Sequence, residues 1–284
     1  MLYIMYRIGY FLAMSLSTKS AYGVACAMAD LWCLVSCADR KAVKYNLQKI
    51  TGLKDQRQLN RMTRQVFRNF AKYLVDFFRF SKIDGNYIKR FVKVEGIDNL
   101  DEALSKGKGV VLLSAHIGNW ELGALVVSSL RQPVMAVVLT HGDKRINDFF
   151  TRQRMAGKVK PIEIGISLRS CYEALKNNGL VALLGDRDFS GNGFYIDFFG
   201  SPALVPKGPA VFSARLDAEI VPTFMVREKD DTFRLIFEPR LKKISTFEED
   251  GRVKGIMKEY ISVIESYVKM YPTQWYMFKR EWTQ

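Results

Sequence analysis

From about Gly96 the chain alternates between short apolar runs and longer stretches with helical spacing, and that rhythm constrains the fold more than any other feature. Residues 110–113 are consecutive apolar side chains behind Gly109, and PVMAVVLT (133–140) is a second such run; both have the length of a buried strand. A helical stretch follows each, NWELGALVVSSL (119–130) and NDFFTRQRMAG (147–157). The pattern continues through VKPIEIG (159–165), LRSCYEALKNNG (168–179) with Gly179 as its stop, and LVALLGDRD (180–188). A strand-like YIDFFG (195–200), a helix over 209–216, the paired strands EIVPTFMVRE (219–228) and TFRLIFEPRL (232–241), and a helix over 248–271 complete the chain. Alternation of this kind predicts an α/β fold, a mostly parallel central sheet flanked by helices, with antiparallel pairing late in the chain. Ligands on such sheets sit beyond the carboxyl ends of the strands.

Upstream the composition changes. Residues 1–38 carry only Arg7, Lys19 and Asp30 as charged groups. Neither half of that segment reaches the ~20 uninterrupted apolar residues of a spanning helix, and Asp30 interrupts the second half. The expectation is an N-terminal hydrophobic helical membrane anchor lying in or dipping into one leaflet, with a buried core helix as the alternative. Residues 39–93 then hold 15 Lys/Arg against 4 Asp/Glu, which supplies most of the net charge of +14. Within that block Leu59, Val66, Phe70, Tyr73 and Phe77 recur at helical spacing, while Arg61, Arg64, Arg68 and Lys72 line another face. The organisation read from these shifts is a hydrophobic membrane-associating segment (1–38), a basic amphipathic helical region packed on the core (39–93) and an α/β core (94–284). A surplus of this size calls for an anionic partner: phosphate headgroups, an acidic protein or nucleic acid. No nucleic-acid-binding motif is present, and a basic block beside an apolar anchor favours the cytoplasmic face of a membrane. The four cysteines show no CxxC spacing and read as small hydrophobes in a reduced protein, expected to be monomeric.

The chain has two histidines. His141 lies in the polar turn THGDK. His116 sits where a predicted strand ends and a predicted helix begins, in SAHIGNWELGA, with Asn119 near the helix start and Glu121 five residues on. On a regular helix that spacing turns side chains apart by roughly 140°. With His116 just before the helix and Glu121 in its first turn, the carboxylate can reach the imidazole and the pair can act as a general base. GDRD (185–188) follows another strand, which puts Asp186, Arg187 and Asp188 on the same sheet edge as His116. No further acidic or histidine cluster makes GDRD a metal site. The GxG at 191–193 precedes a strand, so it is not a dinucleotide fingerprint. Arg145, Arg152 and Arg154 carry guanidinium forks suited to phosphate. Lys207 and Gly208 precede Pro209 in a rigid turn at a helix start, where backbone N–H groups suit an anion.

Taken together these stretches resemble a known family. HIGNWE is similar to the H-x4-D/E signature of the lysophospholipid acyltransferase superfamily, and its Asn and Trp before Glu resemble the bacterial late lipid A acyltransferases. The likeness runs in order through RIN at 145, R-x-x-G at Arg154, GDRD, the DFFG–P–A–P–GPA run from Asp197 and P–QW–F–R–W from Pro272. DRD with DFFG and GPA also resembles the mycobacterial phosphatidylinositol mannoside acyltransferases. The resemblance implies a membrane-associated O-acyltransferase at the cytoplasmic face of the inner membrane. Its donor would be acyl-ACP or acyl-CoA, its acceptor a hydroxyl of a lipid A precursor or related glycolipid, and no metal or redox cofactor is implied. His116 is then the general base and Glu121 its orienting partner. Asn119, Arg145, Arg154, Asp186, Arg187, Asp188, Lys207 and Gly208 are the candidate substrate-binding residues.

Overall fold

The computed structural model describes residues 2–164, 167–244 and 248–282. Five helices come first: α1 (Leu2–Ser15), α2 (Thr18–Val35), α3 (Cys37–Thr51), α4 (Gln56–Phe78) and α5 (Gly85–Phe91). The expected alternation follows as β1 (Val92–Glu95), α6 (Ile97–Ser105), β2 (Val110–Ser114), α7 (Trp120–Leu130), β3 (Val134–Val138), α8 (Lys144–Ala156), β4 (Lys160–Glu163), α9 (Ser167–Lys176) and β5 (Leu180–Leu184). The chain continues with β6 (Phe194–Asp197), β7 (Pro202–Val205), α10 (Gly208–Leu216), β8 (Glu219–Arg227), β9 (Phe233–Phe237) and α11 (Glu249–Met270). The main sheet runs β1-β9-β8-β2-β5-β3-β4. Every pairing in it is parallel except β8 with β9, while β6 and β7 form a separate antiparallel ribbon. The divisions expected at 38 and 93 fall inside α3 and β1 respectively.

Unbroken apolar strands are what a sheet covered on both faces demands. Along β2 the side chains alternate between two cores. Val111 and Leu113 join Phe224, Tyr260 and Ile264 on one face. Val110 and Leu112 join Leu125, Val126 and Phe149 on the other. The helix predicted around Leu59–Phe78 is α4, and its stripe is internal: Leu59, Val66, Phe67 and Phe77 are buried.

The N-terminal segment is two helices, not one. Among the described residues no single helix is long and apolar enough to cross a membrane; α2 and α3 together have the length and composition, but they are bent by 95°. Asp30, the anomalous charge in the apolar stretch, faces α4, where the guanidinium forks of Arg64 and Arg68 both grip its carboxylate. Those two arginines, and Lys72 with Asp231, are therefore engaged within the protein and are not the solvated basic stripe the sequence suggests. Opposite faces of α1 and α2 remain open: Ile4, Ile8 and Phe11 on the first, and Met28, Leu31 and Val35 on the second, are each more than half exposed. Cys33 and Cys171 are buried as expected for small hydrophobes, whereas Cys37 is exposed.

Candidate active site

Adjacent parallel strands deliver the two central groups. β2 pairs with β5 in the register Ser114↔Leu184, and Gly185 donates its N–H to the Ser114 carbonyl at 2.8 Å. The two segments thus leave the sheet side by side, and His116 and Asp186 stand at equivalent positions just past the strand ends. Asp186 Oδ1 lies 2.8 Å from His116 Nδ1 and accepts the His116 backbone N–H at 3.1 Å. Its other oxygen accepts the Trp275 indole N–H at 2.9 Å. Burial by itself would raise the Asp186 carboxyl, but the His116 imidazole, Arg187 and the Trp275 donor together hold it well below the usual carboxylate range. An ionised carboxylate only accepts, so the network assigns the proton to Nδ1 and leaves the lone pair on Nε2. The ring lies edge-on to Trp120 and Phe189, with centroids at 5.2 and 6.1 Å.

The elbow between β2 and α7 is fixed from three sides. Gly118 has φ +62°, and a Cβ there would lie 2.0 Å from the Met225 carbonyl oxygen, so only glycine fits. Asn119 caps α7 by accepting the Leu122 N–H at 3.1 Å. Its amide also donates to the buried Asp76 at 2.9 Å. From outside, the C-terminal segment straps the elbow: Ile117 bridges Trp275, and Tyr276 N–H donates to the His116 carbonyl at 2.9 Å. Trp275 and Trp282 are buried, so the aromatic C-terminal segment caps the core.

Glu121 does not hold the imidazole. It lies in the first turn of α7, as expected, but its carboxylate engages Arg154 of α8, with Nε at 3.0 Å from both oxygens and Nη2 at 2.5 Å from Oε1. Both side chains are about nine-tenths buried, and the Arg154 guanidinium also lies over the rings of Phe77 and Phe150. The reason is topological. Parallel neighbours bring the loops after β2 and β5 into contact, whereas the carboxylate on α7 points towards α8. Arg154 is correspondingly a partner of Glu121, with its fork committed inside the protein.

The other candidates divide. Arg187 donates Nη2 to the Tyr276 carbonyl at 3.0 Å, while its buried Nε has no hydrogen-bond partner. It therefore keeps a donor beside Asp186. Asp188 accepts from Ser190 and Gly193 and shapes the turn that follows. Arg145 pairs with Asp143 at the exposed start of α8 and lies over Tyr3. Lys207 lies over Phe194, and Gly208 opens α10; none of these three contacts the His116–Asp186 pair. His141 packs against Phe150, and burial together with Arg154 lowers its pKa. The sequence reading missed Asp186 as the imidazole's partner and Trp275 as its support. Placement of GDRD on the same edge was the available indication.

Beside the pair lies a cavity of about 60 Å³. Trp120, Glu121 and Ala124 of α7 line it above the sheet, and Ala136, Ala182 and Leu184 line it from below. Ser114, Glu121 and Thr223 are the polar residues of the lining; the rest of it is apolar, and the alanines leave room that larger side chains would fill.

The model of the family described as bacterial lipid A biosynthesis acyltransferase matches residues 1–284. Among curated proteins, a phosphatidylinositol mannoside acyltransferase of Mycobacterium tuberculosis is 24% identical over 246 residues, covering 84% of this chain and 76% of the relative. Its counterpart in Mycolicibacterium smegmatis is 25% identical over 244 residues, 84% and 78% of the two chains. The lipid A biosynthesis palmitoleoyltransferase of Escherichia coli is 29% identical over 187 residues, 64% of this chain and 60% of the relative.

Proposed function

This chain belongs to the bacterial lipid A biosynthesis acyltransferase family and is an acyltransferase; from that premise we propose that it moves a fatty acyl group from a thioester to a hydroxyl of a lipid A precursor or related glycolipid. His116 Nε2 takes the proton of the acceptor hydroxyl, and the oxygen attacks the thioester carbonyl. Asp186 holds the ring through Nδ1 and stabilises the imidazolium that forms. The tetrahedral oxyanion forms near the start of α7, whose first backbone N–H groups lack intrahelical partners. Collapse breaks the C–S bond, the departing thiolate takes the proton from the imidazolium, and an ester and a free thiol result. No step calls on a metal or redox cofactor. The donor is acyl-ACP or acyl-CoA. The first carbons of the fatty chain lie in the largely apolar cavity beside Trp120, where each buried methylene contributes about 0.8 kcal/mol.

The observation that carries this reading is the buried carboxylate on Nδ1 of a histidine beside an apolar cavity. Glu121 and Arg154 act as positioning residues, their ion pair tying α7 to α8 beneath the elbow. Arg187, with its free donor, faces the anionic part of a substrate. In this reading the protein works on a lipid surface, at the cytoplasmic face of the inner membrane, as a monomer; the open apolar stripes of α1 and α2 support the contact with lipid. The acceptor is tested by lipid mass spectrometry of cells with and without the gene. Loss of one acyl chain from a glycolipid identifies it; an unchanged lipid profile together with no transfer by the purified protein rejects the proposal.

A further inference from the structure

Two aromatic rings flank the His116 imidazole, and they differ in what else they touch. Trp120 stacks on Tyr73 at 4.5 Å and lines the cavity beside the pair. Phe189, 6.1 Å from the imidazole between centroids, takes no part in that lining and is 46% exposed. Among the described residues the exposed aromatic side chains are Phe11, Phe189 and Tyr195, and of these Phe189 alone meets the reacting histidine. An exposed apolar ring at that place is costly unless something covers it during turnover.

The ring is also held. Asp188 accepts the Ser190 N–H and hydroxyl and the Gly193 N–H. A Cβ on Gly193 would lie 2.2 Å from the Val205 carbonyl oxygen, so the turn is pressed against β7. The Arg187 guanidinium lies over the Phe189 ring at 5.4 Å and is itself tied to the Tyr276 carbonyl, an attraction between cation and aromatic face. Around the ring the turn is polar: Ser190 and Asn192 are exposed. An apolar face rimmed by hydroxyl and amide groups matches a pyranose, whose C–H bonds form one apolar face and whose hydroxyls form the rim. The electron-rich face of an aromatic ring attracts such C–H bonds. A fatty chain would instead match a continuous apolar surface, of the kind α1 and α2 expose.

We propose that Phe189 is a stacking platform for a sugar ring of the acceptor and places the acceptor hydroxyl at His116. The proposal rests on the acyl-transfer reading and names the part of the acceptor that is recognised. Two substrates must meet at one imidazole, so they need separate approaches. With the acyl chain in the cavity on the Trp120 side, Phe189 borders the approach left for the acceptor.

The test uses Phe189→Ala, Phe189→Leu and Phe189→Trp, with a lipid A disaccharide precursor and a phosphatidylinositol mannoside as acceptors. The alanine and leucine variants are expected to raise the acceptor KM about five- to tenfold and to leave the donor KM within about twofold. The tryptophan variant keeps an aromatic face and should recover the acceptor KM. A native acceptor KM in the leucine variant overturns the proposal, because any apolar side chain would then serve, as in a lipid contact. So does an equal rise in both KM values, or a tryptophan variant as impaired as alanine. A fall in kcat with both KM values unchanged also overturns it, since the ring would then serve the imidazole. If the native enzyme acylates neither acceptor, the reaction itself is misread. Saturation-transfer NMR with methyl glycosides of glucosamine and mannose then decides the platform alone. Transfer from the protein's aromatic protons to the sugar ring, lost in Phe189→Leu, supports it; transfer that is absent or survives that substitution rejects it.

Discussion

His116 and Asp186 stand on adjacent loops at the carboxyl edge of the sheet, and the chemistry follows from which nitrogen meets the carboxylate. Because Nδ1 faces Asp186, Nε2 alone is left as base. His116→Ala should therefore lower acyl transfer by ~10² to 10⁴ or more, while His141→Ala, which alters a ring packed on Phe150, retains most of it. Folding is checked by circular dichroism, and native-like turnover by the His116 variant would reject this histidine as the base. Asp186→Asn keeps the shape but removes the anion that fixes the tautomer. A fall in kcat with little change in KM is expected, and kcat close to native would demote Asp186 to packing. Glu121→Gln acts differently. It leaves the buried Arg154 guanidinium without its counter-charge, which typically costs about 3–5 kcal/mol, so its chief signature is a lowered Tm. The sequence located His116 at the right elbow, because strand, histidine and helix cap are contiguous. It did not reveal the carboxylate on the ring. Glu121 is near in sequence, whereas Asp186 becomes a neighbour only once β2 pairs with β5, a contact between residues 70 apart.

At the scale of elements, the strands and helices that were legible are those with a strong period. β2, β3, β5 and β8 are unbroken apolar runs because both their faces are covered, and α4 and α11 carry long amphipathic stripes. Two short elements at the sheet's edge, β1 and α6, passed unread; the strand VKVE has four residues, two of them charged, and draws its stability from pairing with β9. The C-terminal strap was likewise unreadable as structure, since its order comes from contacts with a distant elbow. That strap carries a titration. Burial, reinforced by Asp186 and opposed by Arg187, pushes the Glu281 carboxyl up from 4.5 to about 7. Between those values the folded state holds a proton that the unfolded state has released, so stability falls as pH rises through this window. Glu281→Gln should therefore stabilise the fold at pH 8 by about 1 kcal/mol once partial screening is allowed for, read as a Tm above that of the native protein. Near pH 4.5 the two should melt together. An equal gain at both pH values would mean that the carboxyl does not titrate there. The α7 cavity gives a second element-scale prediction. Ala124→Leu adds three carbons to a wall lined with small residues, and each methylene of substrate it excludes costs about 0.8 kcal/mol. Selectivity among acyl donors should shift to shorter chains by roughly fourfold per carbon lost, and an unaltered chain-length profile would place the acyl group elsewhere.

At the scale of the whole molecule the N-terminal helices have an inner face that builds the core and, in the proposed reading, an outer face that meets lipid, and a deletion would confuse the two. Their inner faces are structural: Tyr22 of α2 donates to the buried Asp76, which also binds Asn119 at the elbow and pairs with Arg227, and Asp30 anchors α2 to α4. Removing residues 1–38 would strip partners from that network and disturb the site whatever happens at the membrane. The outer faces turn away from the core. Phe11 on α1, and Leu31 and Leu34 on α2, are 67%, 61% and 71% exposed, so polar substitutions there alter the exposed apolar surface and leave the core intact. Placing such side chains in an apolar phase contributes about 1.5 kcal/mol or more each. The variant Phe11→Ser/Leu31→Ser/Leu34→Ser should then partition onto vesicles on the order of 10³-fold more weakly, if all three are fully immersed. Its Tm and its turnover of a detergent-dispersed acceptor should stay near native. Sedimentation with vesicles of anionic and neutral lipid reads the first quantity, and a mixed-micelle assay reads the second. Undiminished sedimentation would move the attachment away from these stripes. Weakened sedimentation with impaired micellar turnover would mean that the outer faces also support the elbow, through the Tyr22–Asp76 contact that ties α2 to it.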